Sequence, residues 1–282
     1  MRPTPAALSP PEMIDAGRGL TALITGASAG IGAALARTYA EKGWDLVLTA
    51  RRAGPLEALA QTLRRDHGIE VSVIPADLAE PDASAGLVEA MAAQGLTIDA
   101  LVNNAGFSRT TGFLATDPAD HAAMVRVMLS APIELSRLLI PGMVERGFGR
   151  VLNVASLAGL MPATGGDTLY GPIKGFLIKA SAGLHLELQG MGVHVTALCP
   201  GYTLTEFHDV NGSRDQVSSA YPAWMWQTAD HVARVGYAAV EANRARVVPG
   251  WRNTLLAAIP KLLPDAVALK IIGGHARRLK RI

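Results

Sequence analysis

Residues 20–42 read LTALITGASAGIGAALARTYAEK, and this stretch decides the fold. It opens with a short apolar run, passes through a turn of small residues with glycines at 26, 30 and 32, and continues into a segment rich in alanine and leucine. Glycine accepts backbone angles and close approaches that a Cβ forbids, so the pattern predicts a tight strand-to-helix turn. The first N–H groups of a helix have no partner inside it, which makes such a turn a natural seat for a pyrophosphate. The strand before it and a helix starting near Ile31 supply the context that a bare cluster of glycines lacks.

The same alternation repeats along the chain. Apolar runs at 20–25, 45–50, 70–75, 99–104, 150–155, 193–198 and 245–250 predict strands, several of them apolar at nearly every position. That is the mark of strands covered by helices on both faces. Apolar spacing predicts helices over Ile31–Lys42, Leu56–Arg65, Ala83–Ala93, Asp120–Glu145, Leu169–Gln189 and Ala229–Ala242. Right-handed crossovers then leave a single-domain α/β fold: a Rossmann-type doubly wound parallel sheet of about seven strands with helices on both faces. The expected division is a flexible leader over 1–18, the α/β domain over 19–250 with a lid at about 203–228, and an apolar, basic extension over 251–282 packed on the same domain. The leader carries four prolines and no continuous apolar stretch, unlike a signal peptide.

Composition narrows the function. A chain of 282 residues with 49% apolar side chains can build a sizeable core. Its net charge is +2, but Lys270, Arg277, Arg278, Lys280 and Arg281 have no acid after Asp265, which leaves −3 for everything else. An acidic body argues against nucleic acid as partner. Cys199 is the only cysteine, so no internal disulfide can form, which suits a reducing compartment and points to the cytoplasm. With no base in view to activate it, Cys199 reads as a small buried residue rather than a nucleophile. No uninterrupted apolar run reaches the roughly 18 residues of a membrane span. No metal site is expected.

Two further places carry chemistry. The second strand ends Thr49-Ala50-Arg51-Arg52, with no acid before Glu57. A guanidinium can fork onto a 2′-phosphate that a carboxylate would repel, so Arg51, helped by Arg52 and Ser28, predicts NADP(H) over NAD(H). Tyr170 and Lys174 are four apart on a predicted helix and so share a face. A phenol titrating near about 10 is a poor base at neutral pH, and a neighbouring ammonium would make it more acidic.

Four motifs, TGASAGIG (25–32), Asn103-Asn104-Ala105-Gly106, Tyr170-x-x-x-Lys174 and Cys199-Pro200-Gly201, occur in an order that resembles the short-chain dehydrogenase/reductase family. The resemblance implies a catalytic set of Ser156, Tyr170 and Lys174, with the lysine also gripping the nicotinamide ribose. It places Gly26, Ser28, Gly30, Ile31 and Gly32 on the pyrophosphate, Asp77 and Leu78 at the adenine edge, and Asn104, Ala105 and Gly106 along a ribose. Pro200, Gly201, Thr203 and Thr205 would meet the carboxamide. The chain departs from the family twice: 14 positions separate Ser156 from Tyr170, one more than usual, and Met128 stands where an asparagine commonly helps to hold a relay water.

The implied activity is interconversion of a secondary alcohol and a ketone with NADP(H). Reduction of a C=C or C=N bond, or cofactor sensing without chemistry, are the alternatives; joint retention of serine, tyrosine and lysine speaks against the sensor. Phe207, Tyr221, Trp224, Met225 and Trp226 concentrate aromatic residues in the lid of a chain with only 5% of them. They suit a bulky hydrophobic or aromatic substrate, or equally pack the lid onto the body. Family members commonly pair through two long helices, and Ala180, Ala182 and Gly183 would permit close approach, giving a homodimer or homotetramer. The extension 251–282 is expected to cover the pocket or a subunit contact; lying on an anionic membrane surface is the less favoured option.

Overall fold

The computed structural model describes residues 16–109, 111–163, 167–205, 225–259 and 263–278. Seven parallel strands form the main sheet: β1 (Thr21–Thr25), β2 (Asp45–Thr49), β3 (Val71–Val73), β4 (Ala100–Asn103), β5 (Gly149–Val154), β6 (Val193–Leu198) and β9 (Arg246–Val247), in the order β3-β2-β1-β4-β5-β6-β9. A separate pair, β7 (Thr203–Leu204) and β8 (Gln227–Thr228), brackets the segment where the lid was expected.

Each strand sends alternate side chains to opposite faces, and both faces are covered. Ile24, Leu48, Leu152 and Leu198 pack on one side with Leu35 and Tyr39 of α1 (Gly30–Ala40), Leu56 of α2 (Ala53–His67) and Val232 of α7 (Ala229–Glu241). Leu23, Val47, Leu101 and Val151 pack on the other with Leu87 and Met91 of α3 (Ala83–Ala93) and with Leu135 and Met143 of α5 (Ala131–Arg146). This double coverage is why the strands read as continuous apolar runs. The predicted doubly wound sheet is what forms.

α4 (Pro118–Val125) runs into α5 through one wider turn, Arg126–Ser130, with π-helical geometry. The whole helix, Pro118–Arg146, has 29 residues and a mean hydropathy of 1.4 in its most apolar window, long and apolar enough to cross a membrane by length and composition. Counting uninterrupted apolar runs missed this, because single charged residues break it. Met124, Met128, Leu135 and Met143 bury its inner face in the core. α6 (Tyr170–Glu187) follows β5, and α8 (Trp251–Ala258) and α9 (Asp265–Arg278) are the last helices among the described residues.

Because every main strand is parallel, their C-terminal ends share one edge, and the direction in which successive strands are added to the sheet reverses between β1 and β4. That reversal opens a crevice in doubly wound sheets. The opposite edge is closed by Arg150, which pairs with Glu241 at 3.1 Å and lies over the Phe148 ring at 4.2 Å, beside a Trp44 Nε1 to Tyr237 hydroxyl hydrogen bond of 3.2 Å.

Candidate active site

At the crevice the β1 turn is built for close approach. Gly26 has φ +66° and Gly30 φ +56°, a region other residues rarely adopt. A Cβ on Gly26 would lie 2.8 Å from Ala105 Cα, and one on Gly32 would lie 2.2 Å from the Gly26 carbonyl oxygen. Ala29 caps α1 without a side-chain hydrogen bond, so no protein side chain covers the first helical N–H groups from that position.

The turn is sewn to β4. The Thr25 hydroxyl donates to the Val102 carbonyl at 3.2 Å and accepts the N–H groups of Asn104 and Ala105, each at 3.0 Å. The Asn104 amide donates to the Thr25 and Gly26 carbonyls at 3.0 and 3.2 Å. Its side chain is therefore committed to holding the glycine turn, whereas the sequence suggested a place along a ribose. Asp77 likewise caps its own turn, accepting the Ala79 N–H at 3.0 Å.

Beyond β5, Ser156 begins a short 3-10 turn (Leu157–Leu160) and accepts the Ala158 N–H at 3.1 Å. Gly159 lets that turn lie directly on α6: a Cβ there would sit 2.6 Å from the Lys174 carbonyl carbon. Ser156 is hydrogen-bonded to the Tyr170 side chain, so the longer spacing between them does not separate them. Lys174 is buried, donates to the Val154 carbonyl at 2.8 Å, and holds its ammonium 5.8 Å from the centre of the Tyr170 ring.

Burial governs both titrations, so the net shift of the phenol is opposite to the one expected from a neighbouring ammonium. Desolvation pushes Tyr170 up to about 12, with the Ser156 hydrogen bond opposing it and the Asp167 charge adding to it. Desolvation pulls Lys174 down to about 8, against a smaller opposite influence from Cys199. At neutral pH the Tyr170 hydroxyl therefore keeps its proton.

Met128 lies in the π-helical turn, and its sulfur would stand 3.0 Å from a Cβ on Gly106, whose position is itself 3.6 Å from the Lys174 ammonium. Met128, expected where the family commonly has an asparagine, and the Lys174 ammonium thus both border Gly106.

A family model for short-chain dehydrogenases matches residues 20–216. The chain belongs to the short-chain dehydrogenase family. This dehydrogenase is 36% identical over 226 residues, 77% of its own length and 86% of the relative's, to serine 3-dehydrogenase of Agrobacterium fabrum. Its fold matches a short-chain dehydrogenase from Sphingobium yanoikuyae in complex with NADPH, with a TM-score of 0.75, 30% identity and coverage of 87% and 98% of the two chains. It also matches the bulky-bulky ketone specific alcohol dehydrogenase of Comamonas testosteroni, with a TM-score of 0.71, 27% identity and coverage of 88% and 96%.

The structure of the dehydrogenase gathers the remaining expected residues at the same edge. Arg51 and Arg52 are exposed where β2 ends, and Leu78 is buried after β3. The strand β7 carries Thr203, whose hydroxyl donates to the Gly201 carbonyl at 3.1 Å, and brings Thr205 against the turn: its Cβ would stand 3.1 Å from a Cβ on Gly30. Cys199 is fully buried, as read from the sequence. Phe207, Tyr221 and Trp224 lie outside the described residues, while Trp226 packs on Tyr202 with ring centres 5.5 Å apart.

Sequence reasoning missed two features. Thr25 was treated as the start of a motif, although its hydroxyl ties three backbone groups together. A buried polar chain also went unread: Asn103 donates to Asn153 at 2.8 Å, Asn153 to Ser181 at 2.9 Å, and Ser181 to the Leu177 carbonyl at 2.6 Å. It fastens β4 and β5 to the helix that carries Tyr170 and Lys174. Polar residues inside predicted strands were the available signal.

Proposed function

We propose that this dehydrogenase interconverts a secondary alcohol and a ketone with NADP(H), using Ser156 to hold the substrate oxygen, Tyr170 to exchange its proton and Lys174 to position the cofactor ribose. The hydrogen-bonded Ser156–Tyr170 pair beside a buried Lys174, at the carboxyl edge of the sheet, carries this reading. The nicotinamide supplies or receives the hydride when bound.

The protein's own groups fit that cofactor. The Gly26–Gly32 cradle and the start of α1, with Ser28 and Ile31 in the same turn, would take the pyrophosphate, and a Cβ on Gly26 or Gly32 would collide with the backbone that shapes this turn. The exposed Arg51 and Arg52 would take the 2′-phosphate, Asp77 and Leu78 the adenine edge, and Pro200, Gly201, Thr203 and Thr205 the carboxamide. Support for NADP(H) comes from the neighbour solved with NADPH. In ketone reduction Ser156 orients the carbonyl oxygen, the protonated Tyr170 delivers its proton, and the Lys174 charge stabilises the tyrosinate left behind.

For the substrate we favour a bulky apolar ketone. The bulk agrees with the neighbour described as bulky-bulky ketone specific, and the apolarity with the Tyr202–Trp226 ring pair beside Thr203. Exposed Leu138 on α5 and Phe176 and Leu186 on α6 support pairing of subunits through these helices, which sedimentation velocity would test against a purely monomeric chain.

The deciding assay follows NADPH and NADH oxidation by absorbance over a panel of small polar and large apolar ketones, with Tyr170→Phe as control. Loss of at least about a hundredfold in kcat is expected when a positioned proton donor is removed. A fully active Phe variant would contradict the mechanism, and preference for the small polar set would end the substrate reading.

A further inference from the structure

α8 presents an apolar stripe to the outside. Trp251, Leu255 and Ile259 recur every four residues and are 72%, 55% and 45% exposed, while Asn253 and Ala257 on the far side of the helix are buried. The stripe cannot roll inward, because the Asn253 amide donates to Gln227 at 3.2 Å and to the Pro249 carbonyl at 3.1 Å, packed against Gly201. Between Trp251, Arg252, Leu255 and Leu256 runs an apolar cleft of about 430 Å³. On α9, Ala268 is buried, whereas Val267 and Ile271, one turn apart, are exposed with Lys270 beside them.

The charge is as lopsided as the apolarity. From residue 251 onward the sequence holds seven lysines and arginines against one acid, Asp265, a net +6; the whole chain's +2 then leaves −4 for residues 1–250. A partner seated here must accept apolar side chains and positive charge together. A second copy docked by a twofold axis would set stripe on stripe and bring the exposed Arg252 and Lys270 of each copy toward those of the other. An anionic bilayer surface has no such conflict: its headgroups attract the cations, its acyl boundary takes the aliphatic side chains, and a tryptophan beside an arginine suits the zone between. The Arg252 guanidinium lies 5.3 Å from the centre of the Trp251 ring.

We propose that the α8–α9 surface docks the enzyme on anionic lipid bilayers. The negative body is repelled by the same surface, so the contact has one orientation, with α8 and the adjoining Pro200–Thr205 edge of the active site toward the lipid.

The test is co-sedimentation of the full chain with vesicles of phosphatidylcholine alone or with phosphatidylglycerol at about a third of the lipid. At low salt, binding to the anionic vesicles should be at least about tenfold stronger, and raising the salt to about 0.5 M should remove most of that difference. Trp251→Ser with Leu255→Ser should weaken binding at least about tenfold. Arg252→Glu with Lys270→Glu, which leaves the apolar stripe intact and takes the segment from +6 to +2, should weaken binding to the anionic vesicles at least about tenfold. Equal binding to both vesicle types, or none, overturns the proposal. So does a fall in oligomeric state of the serine variant when the parent ignores vesicles, which would make the stripe a subunit contact. None of these readouts depends on turnover, so the proposed chemistry and this docking stand or fall separately.

Discussion

Gly26 and Gly68 share a backbone angle, φ +66°, but not an environment, and the comparison isolates what the phosphate turn requires. Around Gly68, the cap of α2, an added Cβ meets nothing within 4 Å. Gly68→Ala therefore carries only the left-handed strain of an L-residue, about 1–2 kcal/mol. At Gly26 the same strain is joined by contacts of 2.8 Å to Ala105 Cα and 2.9 Å to the Asn104 amide nitrogen. Neither neighbour can swing aside: one is backbone and the other is hydrogen-bonded to the turn itself. Overpacking of this kind costs about 1–3 kcal/mol more, so Gly26→Ala should lose about 2–5 kcal/mol in all. Urea unfolding measures the stability, and titration of NADPH fluorescence measures the affinity. Gly68→Ala should bind NADPH like the parent, whereas Gly26→Ala should bind at least about tenfold more weakly, about 1.4 kcal/mol. Equal NADPH affinity in the two variants would refute the idea that the β1–β4 stitch shapes the cradle.

Two predictions concern protons. Alcohol oxidation needs the tyrosinate, and with Tyr170 near 12 its kcat/KM should climb about tenfold per pH unit from 6 to 7.5, then bend as Lys174 loses its charge near 8, whereas ketone reduction should not rise; parallel profiles would dismiss Tyr170 as the proton carrier. Lys174 is pulled down to about 8 in the folded protein from an ordinary lysine value of 10.5, so the unfolded chain binds more protons between those values and stability rises with pH across that window. Relative to Lys174→Met, the parent should gain on the order of 3 kcal/mol between pH 7 and 10.5 by denaturant unfolding, and an unchanged gap would show that the ammonium is not desolvated.

Most of the sheet was legible because its strands are covered twice and so lack polar positions. β6 matches the predicted span 193–198, and α3 matches 83–93. The edge was harder: β9 shrinks from 245–250 to Arg246–Val247, since it pairs only with Ala197 and Leu198. The π-helical turn at Arg126–Ser130 was hidden inside Asp120–Glu145, because one extra residue in a turn hardly disturbs apolar spacing. In the site, Ser156, Tyr170 and Lys174 were readable as residue types in order, and the structure brings them together. Their titration was not, because the phenol packs against a cluster that includes Met124, Val127 and Ile173, a tertiary contact that the order of motifs does not carry.

The Thr25 hydroxyl has a consequence for how this enzyme tolerates change. Valine has nearly the same shape, and a tally of space filling would pass it at a position with 1% exposure. It would nevertheless strand two amides and a carbonyl against carbon at the hinge between the halves of the molecule. Here an atom's polarity outranks its volume, and only a hydroxyl-bearing residue can hold the seam shut.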